Sequence, residues 1–106
     1  MPDAPPPGPV ATRAQYNQLL ARITVTFDQA LVAGSVGAAN WSVIIDSSPV
    51  SVTSASASGT QVTLNLASSP TLKGVSTVGY ALVFPPYVRS LATGVQAPAF
   101  SGLPIT

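Results

Sequence analysis

The chain has 106 residues, which is the length of one domain. It carries four basic and three acidic side chains and a net charge of +1, so we expect no attraction to nucleic acid or to an anionic membrane surface. The lack of cysteine and histidine excludes disulfide bonds and thiolate or imidazole metal ligands, and no apolar run approaches the roughly 18 residues of a membrane helix.

Five prolines among the first nine residues predict an extended N-terminal arm. Proline restricts φ and lacks a backbone N–H, which excludes a helix here and favours polyproline-like backbone. We assign residues 1–14 to this arm and residues 15–106 to a folded domain. A proline-rich arm loses little conformational entropy on docking, so it is a candidate contact with a partner. The candidate partner-binding residues of the arm are Pro5, Pro6, Pro7 and Pro9.

From residue 15 onward, short runs of alternating apolar and polar side chains predict strands. Residues 16–22 fit either one helical turn or a first strand. Two runs within residues 50–67 flank Ser58-Gly59, which predicts a β-hairpin, and the small residues 54–58 indicate an edge or a bulge. The other predicted strands are residues 23–27, 41–46 and 75–84, and a short edge strand in the C-terminal tail.

Six or seven short strands with turn signals about every 8 to 12 residues are typical of an antiparallel β-sandwich. We assign Trp41 to the core and not to a ligand platform, since sandwich domains often pack an indole between their two sheets. The predicted core consists of Ile23, Val25, Phe27, Leu31, Trp41, Val43, Ile45, Val52, Val62, Leu64, Leu66, Val78, Tyr80, Leu82 and Phe100.

Asp28 follows the alternating strand ITVTF and is one of only three acids in the chain. Its carboxylate is predicted to accept hydrogen bonds from backbone N–H groups of the following turn. Glycosidase-type catalysis needs a second carboxylate about 5 to 10 Å away, and a calcium site needs six or more oxygen ligands. The other acids are Asp3, in the arm, and Asp46, at a strand end. We therefore expect turn capping, and neither catalysis nor metal binding.

The remaining polar residues give little basis for catalysis. A serine nucleophile needs a base, but the chain has no histidine, and Lys73-Gly74 has the character of a loop tip. We therefore predict no enzymatic activity, no cofactor and no metal. Tyr87 and Arg89, in PPYVRS, combine an aromatic ring, prolines and a cation, and we assign them as a candidate partner-binding patch. The alternative is a packed loop between the last strands.

Several short motifs follow one another between residues 23 and 102. They are Thr26-Phe27-Asp28 with Ala30-Leu31, Asn40-Trp41 before a strand, Gly59 with Val62-Thr63-Leu64, and Gly94 before Phe100. This order resembles the bacterial Ig-like repeats found in tandem in cyanobacterial swimming-motility surface proteins. The resemblance implies an all-β, Ig-like antiparallel β-sandwich of about seven strands, with a structural or adhesive role and no catalysis.

Two functions from different classes fit these expectations. In the first, the chain is an accessory or decoration module of a bacteriophage virion, docked through its arm on capsid or tail subunits or on further copies of itself. The N-terminus has neither the basic start nor the apolar core of a secretory signal, which favours this function. In the alternative, the chain is a repeat of an exported surface adhesin that binds protein or glycan at the bacterial cell surface, and the arm is a linker. We expect the first.

Overall fold

The computed structural model describes residues 8–83, 85 and 87–106. Within these residues the chain forms nine strands and one short 3₁₀ helix, Ala38–Asn40. The strands are β1 Ala11–Asn17, β2 Arg22–Phe27, β3 Gly34–Val36, β4 Trp41–Ile45, β5 Ser48–Val50, β6 Val52–Ser58, β7 Gln61–Leu66, β8 Thr77–Tyr80 and β9 Phe100–Pro104. In the part of the chain that is described, no helix is long and apolar enough to cross a membrane.

The strands form two antiparallel sheets, which confirms the predicted all-β class and is the arrangement of a β-sandwich. One sheet has five strands in the order β1-β2-β7-β6-β3, and the other has four in the order β5-β4-β8-β9. The buried apolar side chains of both sheets form one core cluster. The short strands β3 and β5 were missed, because three residues are too few to display an alternating pattern.

Strands β2 and β7 form the centre of the five-stranded sheet, as their alternating patterns predict. Ile23 lies opposite Leu64, and Val25 lies opposite Val62, and all four side chains are completely buried. The intervening polar residues point to the opposite face and are partly exposed. At about 1.5 to 3 kcal/mol for each large apolar side chain removed from water, this stripe is a major source of stability.

The hairpin predicted within residues 50–67 is confirmed as β6 and β7, joined at Gly59 with a φ of 60°. A positive φ is readily adopted by glycine, which explains the turn at this position. The register shifts between Val52 and Ser54, whereas Ser54 to Ser58 pair regularly with β7, so the irregularity precedes the stretch 54–58 for which a bulge or an edge was predicted. Strand β6 is not an edge, because β3 pairs with it from Gly34 to Val36.

An aromatic cluster fills the core next to the four-stranded sheet. The ring centroids of Trp41 and Tyr80 lie 4.6 Å apart, and Phe100 meets the indole edge-on at 6.1 Å. Trp41 is buried, which confirms its assignment to the core. Phe100 and Val52 are only partly buried and pack against the edge of the core.

The predicted strand over residues 75–84 is shorter in the structure, and Leu82 is not a core residue. Strand β8 ends at Tyr80, and 43% of the Leu82 side chain is exposed. The Ala81 N–H donates to the Asn40 carbonyl, the next position of the β4–β8 register, but the Val83 N–H donates to the side-chain Oδ1 of Asn40 and not to a strand. The core residues that the sequence analysis missed are Ala14, Val36, Val50, Ala55, Ala57, Val88, Ala97 and Ile105.

The first strand begins earlier than the boundary drawn from the sequence. Residues 11–14, assigned to the arm, lie in β1, which pairs with β2. Ala14 is only 1% exposed and belongs to the core. Residues 16–22 were predicted as either a helical turn or a first strand. The structure has a strand as far as Asn17, and a turn with Ala21 at a φ of 51° then leads into β2.

The C-terminal residues connect the two sheets. After β9 the chain pairs with β1 in parallel, with Ile105 opposite Ala14. Thr106 donates its N–H to the Ala14 carbonyl at 3.0 Å, and its own carbonyl accepts the Tyr16 N–H at 2.8 Å. This pairing closes the seam between the edge strands β1 and β9 over part of its length.

Candidate functional site

Asp28 fixes the chain that precedes β1 to the end of β2. The Val10 N–H donates to Asp28 Oδ1 at 2.9 Å, and the Asp28 N–H donates to the Val10 carbonyl at 3.0 Å. The carboxylate is therefore a backbone acceptor, as predicted, but the donor Val10 lies 18 residues earlier and not in the following turn. The sequence pattern could not show this, because the partner is a main-chain group of a distant segment.

Gly8 and Pro9 pack into the molecule at the same end. Pro9 is among the completely buried residues. A Cβ added to Gly8 would collide with the backbone carbonyl oxygen of Gln96, so only glycine fits this approach. Gln29 Nε2 donates to the Gly8 carbonyl at 3.3 Å. The base of the predicted arm is thus held by several independent contacts. Pro5, Pro6 and Pro7 lie outside the described residues.

Residues 88–97 form a small hairpin, which we call the closing hairpin. The Ala97 N–H donates to the Val88 carbonyl at 2.8 Å, and Arg89 pairs with Gln96. The outer side of this hairpin is joined to residues 30–32, where Leu31 and Ser90 are opposite each other and buried. The backbone of residues 88–97 is therefore packed against the domain, as in the alternative of a packed loop.

The two predicted partner-binding residues of this region differ in exposure. Arg89 is exposed, and Tyr87 is half-buried just before the closing hairpin. The Arg89 carbonyl accepts the Val32 N–H at 2.9 Å, so its backbone is fixed while its side chain reaches solvent. Among the described residues Arg89 forms no ion pair.

The structure brings the predicted residues Pro9 and Arg89 to one end of the molecule. Gly8, the neighbour of Pro9, adjoins Gln96, and Gln96 pairs with Arg89 in the closing hairpin. The start of β1 and the end of β2 lie at this same end, because Ala11 is opposite Phe27. Residues 1–7, which we call the leading segment, therefore join the domain beside the closing hairpin.

An apolar groove opens in the seam between β1 and β9, where the C-terminal pairing does not extend. Its volume is about 270 Å³, and Pro9 lies at its base. Its walls include Val10, Ala11, Pro98, Phe100, Leu103 and Pro104. We name it the seam groove. Sequence reasoning missed it, although the prolines that flank Phe100 on both sides are a signal that this edge strand does not pair normally.

The described residues offer little acid–base chemistry. They contain no group of three or more His, Cys, Asp or Glu side chains that could hold a metal ion. Asp46 is at a turn with a φ of 53°, and its N–H donates to Ser76 Oγ. Ser90 Oγ is buried without a hydrogen-bond partner in the described part of the chain. Such a hydroxyl lacks the base that a nucleophile needs.

Tyr80 is the buried titratable group of the aromatic cluster. Burial raises the pKa of Tyr80 above its ordinary value, while the hydrogen bond from Val88 opposes this rise and the neighbouring Tyr87 adds to it. Its hydroxyl oxygen accepts the Val88 N–H at 2.9 Å. Tyr80 therefore connects the core to the start of the closing hairpin, which is a structural role.

Comparison with protein-family models, with curated proteins and with solved structures finds no match to this chain. The resemblance to bacterial Ig-like repeats therefore stays a prediction that rests on the motifs themselves. The geometry on which a function can be argued is the end of the molecule that carries the base of the arm, the closing hairpin and the seam groove.

Proposed function

We propose that this protein is a non-enzymatic structural module with an Ig-like fold, an accessory or decoration component of a bacteriophage capsid or tail that docks through its N-terminal arm. The observation that carries the proposal is the fixed base of that arm. Asp28 holds Val10, Gln96 and Gln29 contact Gly8, and Pro9 is buried. The leading segment thus joins the domain at a defined point.

A fixed base favours docking for a thermodynamic reason. Binding is opposed by the conformational entropy of the groups that become ordered, and preorganised groups lose less of it. Residues 8–14 already make defined contacts in the domain, so docking of the leading segment does not have to order them. Its prolines restrict that segment further.

The Ig-like part of the proposal is supported by the two antiparallel sheets and by the buried indole of Trp41, which packs on Tyr80 and Phe100 in the common core. A small charge content suits a module that is surrounded by other structural subunits. Arg89, exposed next to the point where the leading segment begins, supplies a cation for a contact beside the arm.

The test is a comparison of particles and cell surface from the source culture. Mass spectrometry of purified virus particles should find peptides of a chain of this length at high copy number. Recovery of the same peptides only from a much larger cell-surface polypeptide would contradict the virion proposal and favour an adhesin repeat.

The role of the arm is tested separately with full-length variants added to particles that lack the protein. The triple substitution Pro5→Ser, Pro6→Ser and Pro7→Ser should reduce incorporation about tenfold or more. Pro49→Ser, which changes an exposed proline in β5, is the matched control and should leave incorporation unchanged. Equal incorporation of both variants would exclude docking through the arm.

A further inference from the structure

The seam groove has the character of a site for an extended apolar peptide. It lies between the edge strands β1 and β9, and its walls combine prolines, Phe100 and Leu103. Grooves lined by aromatic and apolar side chains recognise polyproline segments, which are already extended and lose little entropy on binding. Its volume of about 270 Å³ suits a few residues of such a segment.

The leading segment of this chain is a peptide of that kind. Four of its seven residues are proline. In polyproline geometry seven residues span roughly 22 Å, since each adds about 3.1 Å. The segment ends at Pro7, and Gly8 connects it to the groove-lining Pro9. An occupant of suitable chemistry is therefore present in every copy of the protein.

The direction of the chain disfavours insertion of the leading segment into the groove of its own copy. Gly8 adjoins Gln96, and Ala14 pairs in parallel with Ile105, so residues 8–14 run in the same direction as residues 96–105. At Gly8, the first described residue, the backbone therefore points away from the groove in the N-terminal direction. A return would require a reversal at Gly8, which is held by Gln29 and Gln96.

The sequence before Gly8 also opposes such a reversal. A residue that precedes proline is restricted to extended backbone, and this applies to each of Ala4, Pro5 and Pro6. A tight turn in this stretch is therefore costly. A second copy placed along the direction of exit needs no such turn.

The leading segment and the surface beside the groove also carry opposite charges. Asp3 is the only charged side chain of the leading segment. Arg13 is exposed in β1, two residues after the groove wall at Ala11, and it forms no ion pair with a described residue. An exposed pair contributes up to about 1 kcal/mol, which is enough to favour one direction of the segment in the groove.

We infer that the seam groove binds the leading segment of a second copy of this protein, so that residues 1–7 of one copy lie between β1 and β9 of the next. Because donor and acceptor surfaces differ, two copies can exchange their segments reciprocally in a two-fold dimer, or successive copies can join through a head-to-tail interface. Such an interface gives a closed ring where the rotation closes and a filament where it does not. This inference rests on the proposed function, because it names the neighbouring subunit that the arm contacts.

The first experiment measures association of the full-length protein by sedimentation velocity over a wide concentration range. Ser101 is exposed in the groove lining, and Ser101→Arg should weaken association about tenfold or more by filling the groove. Ser69→Arg introduces the same side chain at an exposed loop position outside the groove and should have no effect. Unchanged association of the Ser101 variant, or a wild-type protein that stays monomeric, would overturn the inference.

The second experiment identifies the occupant. Benzoylphenylalanine at Ala4, in the leading segment, is photo-activated in an equal mixture of ¹⁵N-labelled and unlabelled full-length protein, and the linked tryptic peptides are sequenced by mass spectrometry. Links from residue 4 to groove residues 98–104 should occur in mixed-isotope pairs as often as in uniform pairs. Only uniform pairs would show insertion into the same copy and would overturn the inference, as would links confined to residues outside the groove.

The two proposals fail in different ways. If purified copies exchange no leading segment but the protein is abundant in particles and needs Pro5, Pro6 and Pro7 for incorporation, the proposed function stands and the seam groove is not the receiving site. If copies exchange the segment in solution but the protein is absent from particles, the inference stands and the virion assignment is wrong.

Discussion

Asp28 and Val10 form a reciprocal pair in which each residue both donates and accepts. The Val10 N–H donates to the Asp28 carboxylate at 2.9 Å, and the Val10 carbonyl accepts the Asp28 N–H at 3.0 Å. The pair closes the corner between the end of β2 and the chain that leads into β1. A carboxylate at a strand end thus determines where the N-terminal part of the chain leaves the domain.

We expect Asp28→Asn to have little effect on the free energy of unfolding, because the amide oxygen can accept the same N–H. Asp28→Ala removes the acceptor and should cost about 1 kcal/mol, with faster hydrogen exchange at Val10. Urea unfolding and amide exchange by NMR measure both effects. A large loss of stability in Asp28→Asn that added calcium reverses would instead indicate a metal site.

The position of β1 gives a prediction about truncation. Deleting residues 1–14 removes four of the seven residues of β1, the buried Ala14 and the acceptor of the Thr106 N–H, whereas deleting residues 1–7 removes none of these. The longer deletion should therefore be the less stable one by about 2 kcal/mol or more. Thermal and urea unfolding of the two truncated chains measure the difference. Equal stabilities would place the domain boundary after residue 14, where the sequence suggested it.

Strongly alternating strands could be predicted from the sequence, and positions determined by distant contacts could not. Strand β7 was identified because Val62, Leu64 and Leu66 recur at the period of a strand with one buried face. The extension of that reasoning to Leu82 failed, since the Val83 N–H bonds the side chain of Asn40, a residue some 40 positions earlier, and not a neighbouring strand. Local periodicity contains no information about such a partner.

In the candidate site, too, local features could be predicted from the sequence and features that depend on distant contacts could not. Composition was sufficient to identify a proline-rich N-terminus, and the motif PPYVRS was sufficient to assign Arg89 as a candidate contact residue. The burial of Pro9 and the seam groove both depend on Gly8 and Pro9 meeting residues almost ninety positions later in the chain. Asp28 was identified from its position after a strand, but its partner was not, because a backbone N–H has no sequence signature.

Leu64 and Leu82 were both predicted to lie in the core, and the structure places only Leu64 there, so the pair allows a direct test. Leu64 is completely buried, whereas 43% of Leu82 is exposed. We expect Leu64→Ala to lower the free energy of unfolding by about 2 to 5 kcal/mol. Leu82→Ala should change it by less than about 1 kcal/mol. Comparable losses in the two variants, measured by urea unfolding, would mean that Leu82 is packed in solution.

Tyr80 predicts a loss of stability at high pH. Burial raises the pKa of Tyr80 above the ordinary value of about 10, so the folded protein holds this proton at a pH where the unfolded chain releases it. By linkage, its contribution to stability is complete below about pH 10 and falls as the pH rises through the folded pKa. Burial also raises the pKa of Tyr16, which adds a contribution of the same sign.

Tyr80→Phe separates the two tyrosines. The variant leaves the Val88 N–H without its acceptor, so it should be less stable than the wild type at neutral pH by about 1 to 3 kcal/mol. Above about pH 10 its stability should fall less steeply with pH, because only the contribution of Tyr16 remains. Urea unfolding across the alkaline range measures both slopes. Parallel slopes for wild type and variant would show that Tyr80 ionises equally in the folded and unfolded states.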